Sequence, residues 1–169
     1  MIFDHQQRYL DSLPDTDRKA NISPFDVRAN EIARNLINEI KNILPESEIF
    51  YQGSTYLEIA GENDVDLTII NSDFESAQNL LTNLFGDPDS TNFESKYAHW
   101  DFKRESFEVD MGLQTEMTPM LEEQLKTQRI LESDEELKKE YEQMKRESDG
   151  LPWKEYLIRK YEFWNRITS

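Results

Sequence analysis

The sequence predicts an α+β fold, and three observations predict it. Residues 64–70 and 107–113 alternate apolar and polar side chains with a period of two, as strands with one buried face do. Residues 32–44 and 74–84 carry apolar residues at spacings of three and four, the period of a helix. Beyond residue 116 only the helical period recurs. The expected division is therefore a mixed core over 1–115, including an N-terminal helix, and a helical C-terminal part over 116–169 packed on it.

Residues 1–22 read as a short leading segment with turn signals at Pro14 and Asp15. Ser23-Pro24 predicts a helix start, a cap residue followed by proline at the first helical position. Ile32, Ala33, Leu36, Ile37, Ile40, Ile43 and Leu44 supply its apolar stripe, and Pro45 closes it. Ile49 to Gln52 is a short strand leading into Gly53-Ser54, and a loop with Gly61 and Asn63 follows. In the strand from Asp64 to Ile70, Val65, Leu67 and Ile69 share one face, and Asp64, Asp66 and Thr68 the other. Ser72-Asp73-Phe74-Glu75 opens a helix that stops near Gly86. Lys96 to Phe102 and Phe107 to Leu113 are strands joined by a polar turn, with Asp110 on the polar side of the second. Thr118-Pro119, Ser133-Asp134-Glu135-Glu136 and Pro152 each start a further helix, and Gly150 separates the last two.

Composition narrows the chemistry. The 169 residues include no cysteine and only two histidines, so any bound metal takes oxygen ligands, which favours magnesium, manganese or calcium. The formal charge of −16 repels long phosphate backbones and suits a cationic or protein partner, or serves solubility alone. No stretch is apolar enough to span a bilayer, and the expectation is a cytoplasmic protein.

Asp64 and Asp66 stand two apart on one strand, so their carboxylates face the same way and repel unless a cation lies between them. Asp110 has the same polar parity on a later strand; if the strands pair, three carboxylates share one patch, a set able to hold two metal ions. Gly53 lets a ligand approach the backbone, and Ser54 offers a hydroxyl to phosphate oxygens. The plainer readings are solvated strand acids for Asp66 and Asp110 and turn chemistry for Asp64 and Ser54. Lys160 and Tyr156 share a face of the last helix, as phosphate and base contacts or as a lysine extending to water beside a core aromatic. His99 has the parity of Tyr97 and Asp101 and faces either the site or a satisfied strand environment.

Tyr51-Gln52-Gly53-Ser54, nine residues, then Asp64-Val65-Asp66-Leu67, and later Val109-Asp110-Met111, resemble the signature of the DNA polymerase β nucleotidyltransferase superfamily. The resemblance implies a palm, a mixed β-sheet with helices on one face, followed here by C-terminal helices. It implies that Asp64, Asp66 and Asp110 are catalytic and bind Mg2+ (or Mn2+), and that Gly53, Ser54 and Lys160 bind a nucleoside triphosphate. The expected reaction moves a nucleoside monophosphate to an acceptor hydroxyl and releases pyrophosphate. Net charge favours a small molecule or a protein over nucleic acid as acceptor. Glu140 to Arg146 with Tyr156, Lys160 and Phe163 also resemble the C-terminal helices of the GrpB-like family. Two other functions fit the same residues: a non-catalytic nucleotide- or protein-binding module on this fold, and an interaction protein of a toxin–antitoxin or defence pair.

Overall fold

The protein is described over residues 1–169 as a computed structural model. Its elements follow from the sequence periods. Helix α1 spans Asp4–Ser12, α2 Arg28–Ile43, strand β1 Glu48–Gln52, the single-turn α3 Gly53–Tyr56, β2 Asp64–Ile70 and α4 Phe74–Phe85. The short β3 (Ser90–Asn92) precedes β4 (Tyr97–Arg104) and β5 (Phe107–Gln114). Helices α5 (Pro119–Ser133), α6 (Glu135–Glu147) and α7 (Trp153–Thr168) complete the chain.

The strands form one mixed sheet in the order β1-β2-β5-β4-β3. Strand β2 pairs with β5 in parallel, and the other neighbours are antiparallel. On one face Val65, Leu67 and Ile69 of β2 and Val109, Met111 and Leu113 of β5 are buried against α2 and α4. Those helices present Leu36, Ile40, Ala77 and Leu81. Each large aliphatic side chain removed from water there contributes about 1.5–3 kcal/mol. Trp100 of β4 closes this core and satisfies its indole N–H on the Gly86 carbonyl at 2.9 Å.

A second core gathers Leu131, Tyr141, Tyr156, Leu157 and Trp164 of the C-terminal helices with Leu57 and Ile59 of the loop after α3. The N-terminal residues join this core: Leu10 and Ala20 are buried in it. The opposite, polar face of the sheet looks across a cleft towards α5, α6 and α7. This is the expected α+β palm with C-terminal helices. No helix is long and apolar enough to cross a membrane.

Two local expectations are corrected, and one strand is added. The stretch before Pro14 is helical, because α1 docks on α7. Its buried Gln6 donates to Asn165 Oδ1 at 2.9 Å and accepts from the Phe3 backbone N–H at 3.0 Å. The helix expected at Ser23 begins instead at Arg28. Ser23 exchanges two backbone hydrogen bonds with Gly61, of 2.7 and 3.0 Å, and that tie outweighs its capping propensity. The polar edge strand β3, which no apolar alternation announces, pairs with β4, and its Thr91 accepts from Gln78 of α4 at 3.3 Å. The cap at Thr118 follows the sequence, with the Leu121 N–H donating to it, whereas α6 is capped by Asp134, which accepts from the Glu136 and Leu137 N–H groups, and Ser133, the first residue of the expected box, closes α5.

Candidate active site

The strand period aims the carboxylates. Val65 and Leu67 turn into the core, so Asp64 and Asp66 turn into the cleft. Parallel pairing of β2 with β5 sets Asp110 directly opposite Asp66, and antiparallel pairing sets Asp101 of β4 opposite Asp110. On the other side Gln52 of β1 stands opposite Asp66. The cleft above them, about 840 Å³, is bounded by Gly53 and Ser54, by His99 and Tyr97 of β4, and by Lys145 and Lys160 of α6 and α7.

Gly53 is required by what lies over it. Its φ is +86°, and a Cβ there would stand 2.3 Å from Asp66 Oδ2, so the carboxylate packs on a bare Cα. Ser54 is buried, and its hydroxyl fills the space beside Gly61, where a Cβ would meet it at 2.2 Å. Thr55 Oγ1 donates to the Asp64 carbonyl at 2.7 Å and pins the turn to β2.

Two residues that no sequence motif singles out complete the cleft. Lys145 of α6, fully buried, donates to Glu62 Oε2 at 2.7 Å and to the Tyr156 hydroxyl at 2.6 Å. Tyr156 in turn donates to Glu62 Oε1. Tyr156 is thus engaged and buried, and does not offer a face to a base. The signals were present: Glu62 has the parity of Asp64 and Asp66, and Lys145 interrupts the Tyr141–Met144 apolar stripe. Lys160 reaches the cleft with its ammonium over the Trp164 ring, 4.9 Å from the centroid. Lys103 of β4 pairs with Glu108, and Arg104 pairs with Glu39 of α2.

The charges strain one another. Burial, then the neighbouring Asp64 and Asp110, hold the Asp66 carboxyl well above the usual carboxylate range. Burial, then Glu62, push Asp64 up to about 6. Burial also opposes ionisation of Glu62, but Lys145 and then Lys160 outweigh it and hold Glu62 below its ordinary value. Burial would lower the Lys160 ammonium; Tyr141, Glu62 and Tyr161 around it prevail and raise it. Asp110, more than half exposed, meets His99 Nε2 at 3.1 Å, and that hydrogen bond raises the histidine.

No three His, Asp or Glu side chains are drawn together tightly enough to hold a metal ion. The expected ligand cluster is to that extent open, and Asp110 engages His99. The donors themselves fit a hard divalent cation. They are all carboxylate oxygens, and the suppressed ionisation of Asp66 is what a cation among them relieves.

The architecture is a five-stranded mixed sheet with acids on its polar face, beneath a helical layer. Among solved structures, the chain is similar to the Cid1 poly(U) polymerase, a UTP-selective enzyme solved with MgGTP bound. The TM-score is 0.52 at 15% identity, covering 83% of this chain and 44% of that one. The chain thus spans less than half of the polymerase's length, and at this identity the likeness concerns the fold. No family model matches the chain, and no curated protein matches it.

Proposed function

We propose that the protein is a metal-dependent nucleotidyltransferase that moves a nucleoside monophosphate from a nucleoside triphosphate to an acceptor hydroxyl. The observation that carries this reading is the register of Asp66 with Asp110, beside Asp64, on the polar face of the cleft opposite Lys160. Asp64, Asp66 and Asp110 are assigned as catalytic, metal-binding residues. A magnesium or manganese ion bound to them would offset charge on the transferring phosphate and acidify the acceptor hydroxyl.

The chain's own residues do the rest. Gly53 leaves room for the Asp66 carboxylate and for the close approach of phosphate. Ser54 and Lys160 hold the triphosphate tail, where an ammonium in a poorly hydrated cleft acts strongly on developing negative charge. Asp110, exposed beside His99, receives the acceptor proton. The acceptor oxygen bonds to the α-phosphorus as the bond to the bridging oxygen breaks, and pyrophosphate leaves with that electron pair. With a charge of −16, the protein suits a small-molecule or protein acceptor better than nucleic acid. The helical part, residues 116–169, is read as the lid that carries Lys160 over the core of 1–115. A GrpB-like affinity for that part rests on its sequence pattern alone.

Incubation of the protein with each labelled nucleoside triphosphate and magnesium in cell lysate tests the reading. Label transferred to a metabolite or a macromolecule by the wild type, and lost in D66N with its fold intact by circular dichroism, is the expected result. Transfer at the wild-type rate by D66N sinks the assignment. A binding module is favoured by one observation, the open carboxylate set. It predicts nucleotide-dependent thermal stabilisation with no transfer to any acceptor.

A further inference from the structure

At the α6–α7 end of the cleft, three donors converge on a carboxylate that the proposed reaction does not use. Glu62 Oε2 accepts from Lys145 Nζ at 2.7 Å and lies 3.5 Å from Ser54 Oγ. Glu62 Oε1 accepts from the Tyr156 hydroxyl. Lys145 and Tyr156 are themselves joined at 2.6 Å, so ammonium, phenol and serine hydroxyl make one cradle around one anion. The Lys145 side chain is 2% exposed and that of Glu62 14%, so the pair is shielded from bulk water while its acid still borders the cleft.

Ammonium, hydroxyl and phenol donors around a single buried anion are what a phosphate oxygen calls for. Ser54 is one of the groups assigned above to the triphosphate. It cannot serve phosphate fully while Glu62 holds the same donors. A carboxylate brings one charge to this cradle, whereas the terminal phosphates of a nucleoside triphosphate bring more. A polyphosphate can therefore displace Glu62 where a monophosphate gains too little.

We propose that Glu62 is a resident anion that competes with the triphosphate tail for Lys145 and Ser54, lowering affinity for all phosphates and selecting polyphosphates over monophosphates. This rests on the nucleotidyltransferase reading. Glu62 does not touch the reacting phosphorus; it acts through the donors it occupies. The loop side chain has only to rotate out towards the cleft it already borders. Lys145, left without its acid, is then a buried cation in need of an anion, which ties displacement of Glu62 to binding.

The test is calorimetric titration of inorganic pyrophosphate, inorganic phosphate and a nucleoside triphosphate, each with magnesium, into wild type, E62Q and E62Q/K145M. E62Q is expected to bind pyrophosphate and triphosphate about tenfold more tightly, the worth of one charge-assisted hydrogen bond regained. It is also expected to narrow the preference for pyrophosphate over phosphate. The double variant is expected to lose the gain, because the cradle's ammonium is gone. Equal or weaker pyrophosphate binding by folded E62Q overturns the inference and leaves Glu62 as a tie between the loop and the helices. A gain that persists in E62Q/K145M also overturns it, since the effect is then only the loss of a negative charge. If E62Q does not fold, E62D, whose carboxylate stops one methylene short of the cradle, is read by the same criteria. Failure of every folded protein, wild type included, to bind pyrophosphate or any nucleoside triphosphate overturns the function proposed above, and this inference with it.

Discussion

Gly53→Ala separates backbone strain from the position of one carboxylate. At φ +86° a Cβ costs roughly 1–2 kcal/mol, as for any L-residue in the left-handed region. The same Cβ would stand 2.3 Å from Asp66 Oδ2, where real contacts do not fall below 3.0 Å. The difference, 3.0 − 2.3 = 0.7 Å, is the least distance the carboxylate must withdraw. It can do so by side-chain rotation, so the clash adds little to the stability cost. The loss falls on chemistry: a displacement approaching 1 Å costs about 10²-fold in rate. Gly86 is the control. Its φ is +92° and its ψ −177°, a region essentially only glycine occupies, with nothing within 4 Å of an added Cβ, so G86A carries backbone strain without the clash. Both variants are expected to melt a few degrees below wild type, since about 1 kcal/mol shifts a domain of this size by roughly 2–4 °C. Only G53A is expected to lose transfer activity, measured with labelled nucleotide at saturating magnesium. Activity in G53A within about twofold of G86A refutes the reasoning, because Asp66 would then tolerate a displacement that a catalytic carboxylate does not.

Two further outcomes follow from the charges. Asp64 has its folded pKa raised to about 6 from an ordinary 3.8, so the folded state holds that proton more tightly than the unfolded chain. The resulting stabilisation is present below about pH 4 and is lost as pH rises through 6; D64N, measured without metal, should flatten that part of the stability–pH curve and gain on the order of 2 kcal/mol at pH 7. An unchanged slope of melting temperature between pH 4 and 6 in D64N counts against it. K160M should raise KM for the triphosphate about tenfold while the fold persists, read from initial rates and circular dichroism; an unchanged KM removes Lys160 from the phosphate contacts.

Much of this arrangement is legible in the order of the residues. Alternation from Asp64 to Ile70 dictates which side chains enter the core, because successive strand residues point to opposite faces. The cap at Thr118 is legible because capping is settled by residues three apart. The start of α2 and the existence of α1 are not, because each is decided by a distant partner, Gly61 for Ser23 and Asn165 for Gln6. The strand β3 is hidden for the same reason: its support comes from β4 and from Gln78 of α4.

The sequence alone determined that Asp64 and Asp66 share a face, that Gly53-Ser54 follows a strand before them, and that helices alone follow residue 116. Tertiary structure alone decided which strand lies beside β2, and so that Asp110 rather than another acid stands opposite Asp66. It also decided that Lys145, one member of a helical stripe, meets Glu62, 83 residues away in the chain. Local periodicity sets the direction of a side chain, whereas its partner is set by register and packing, which couple residues that no local pattern connects.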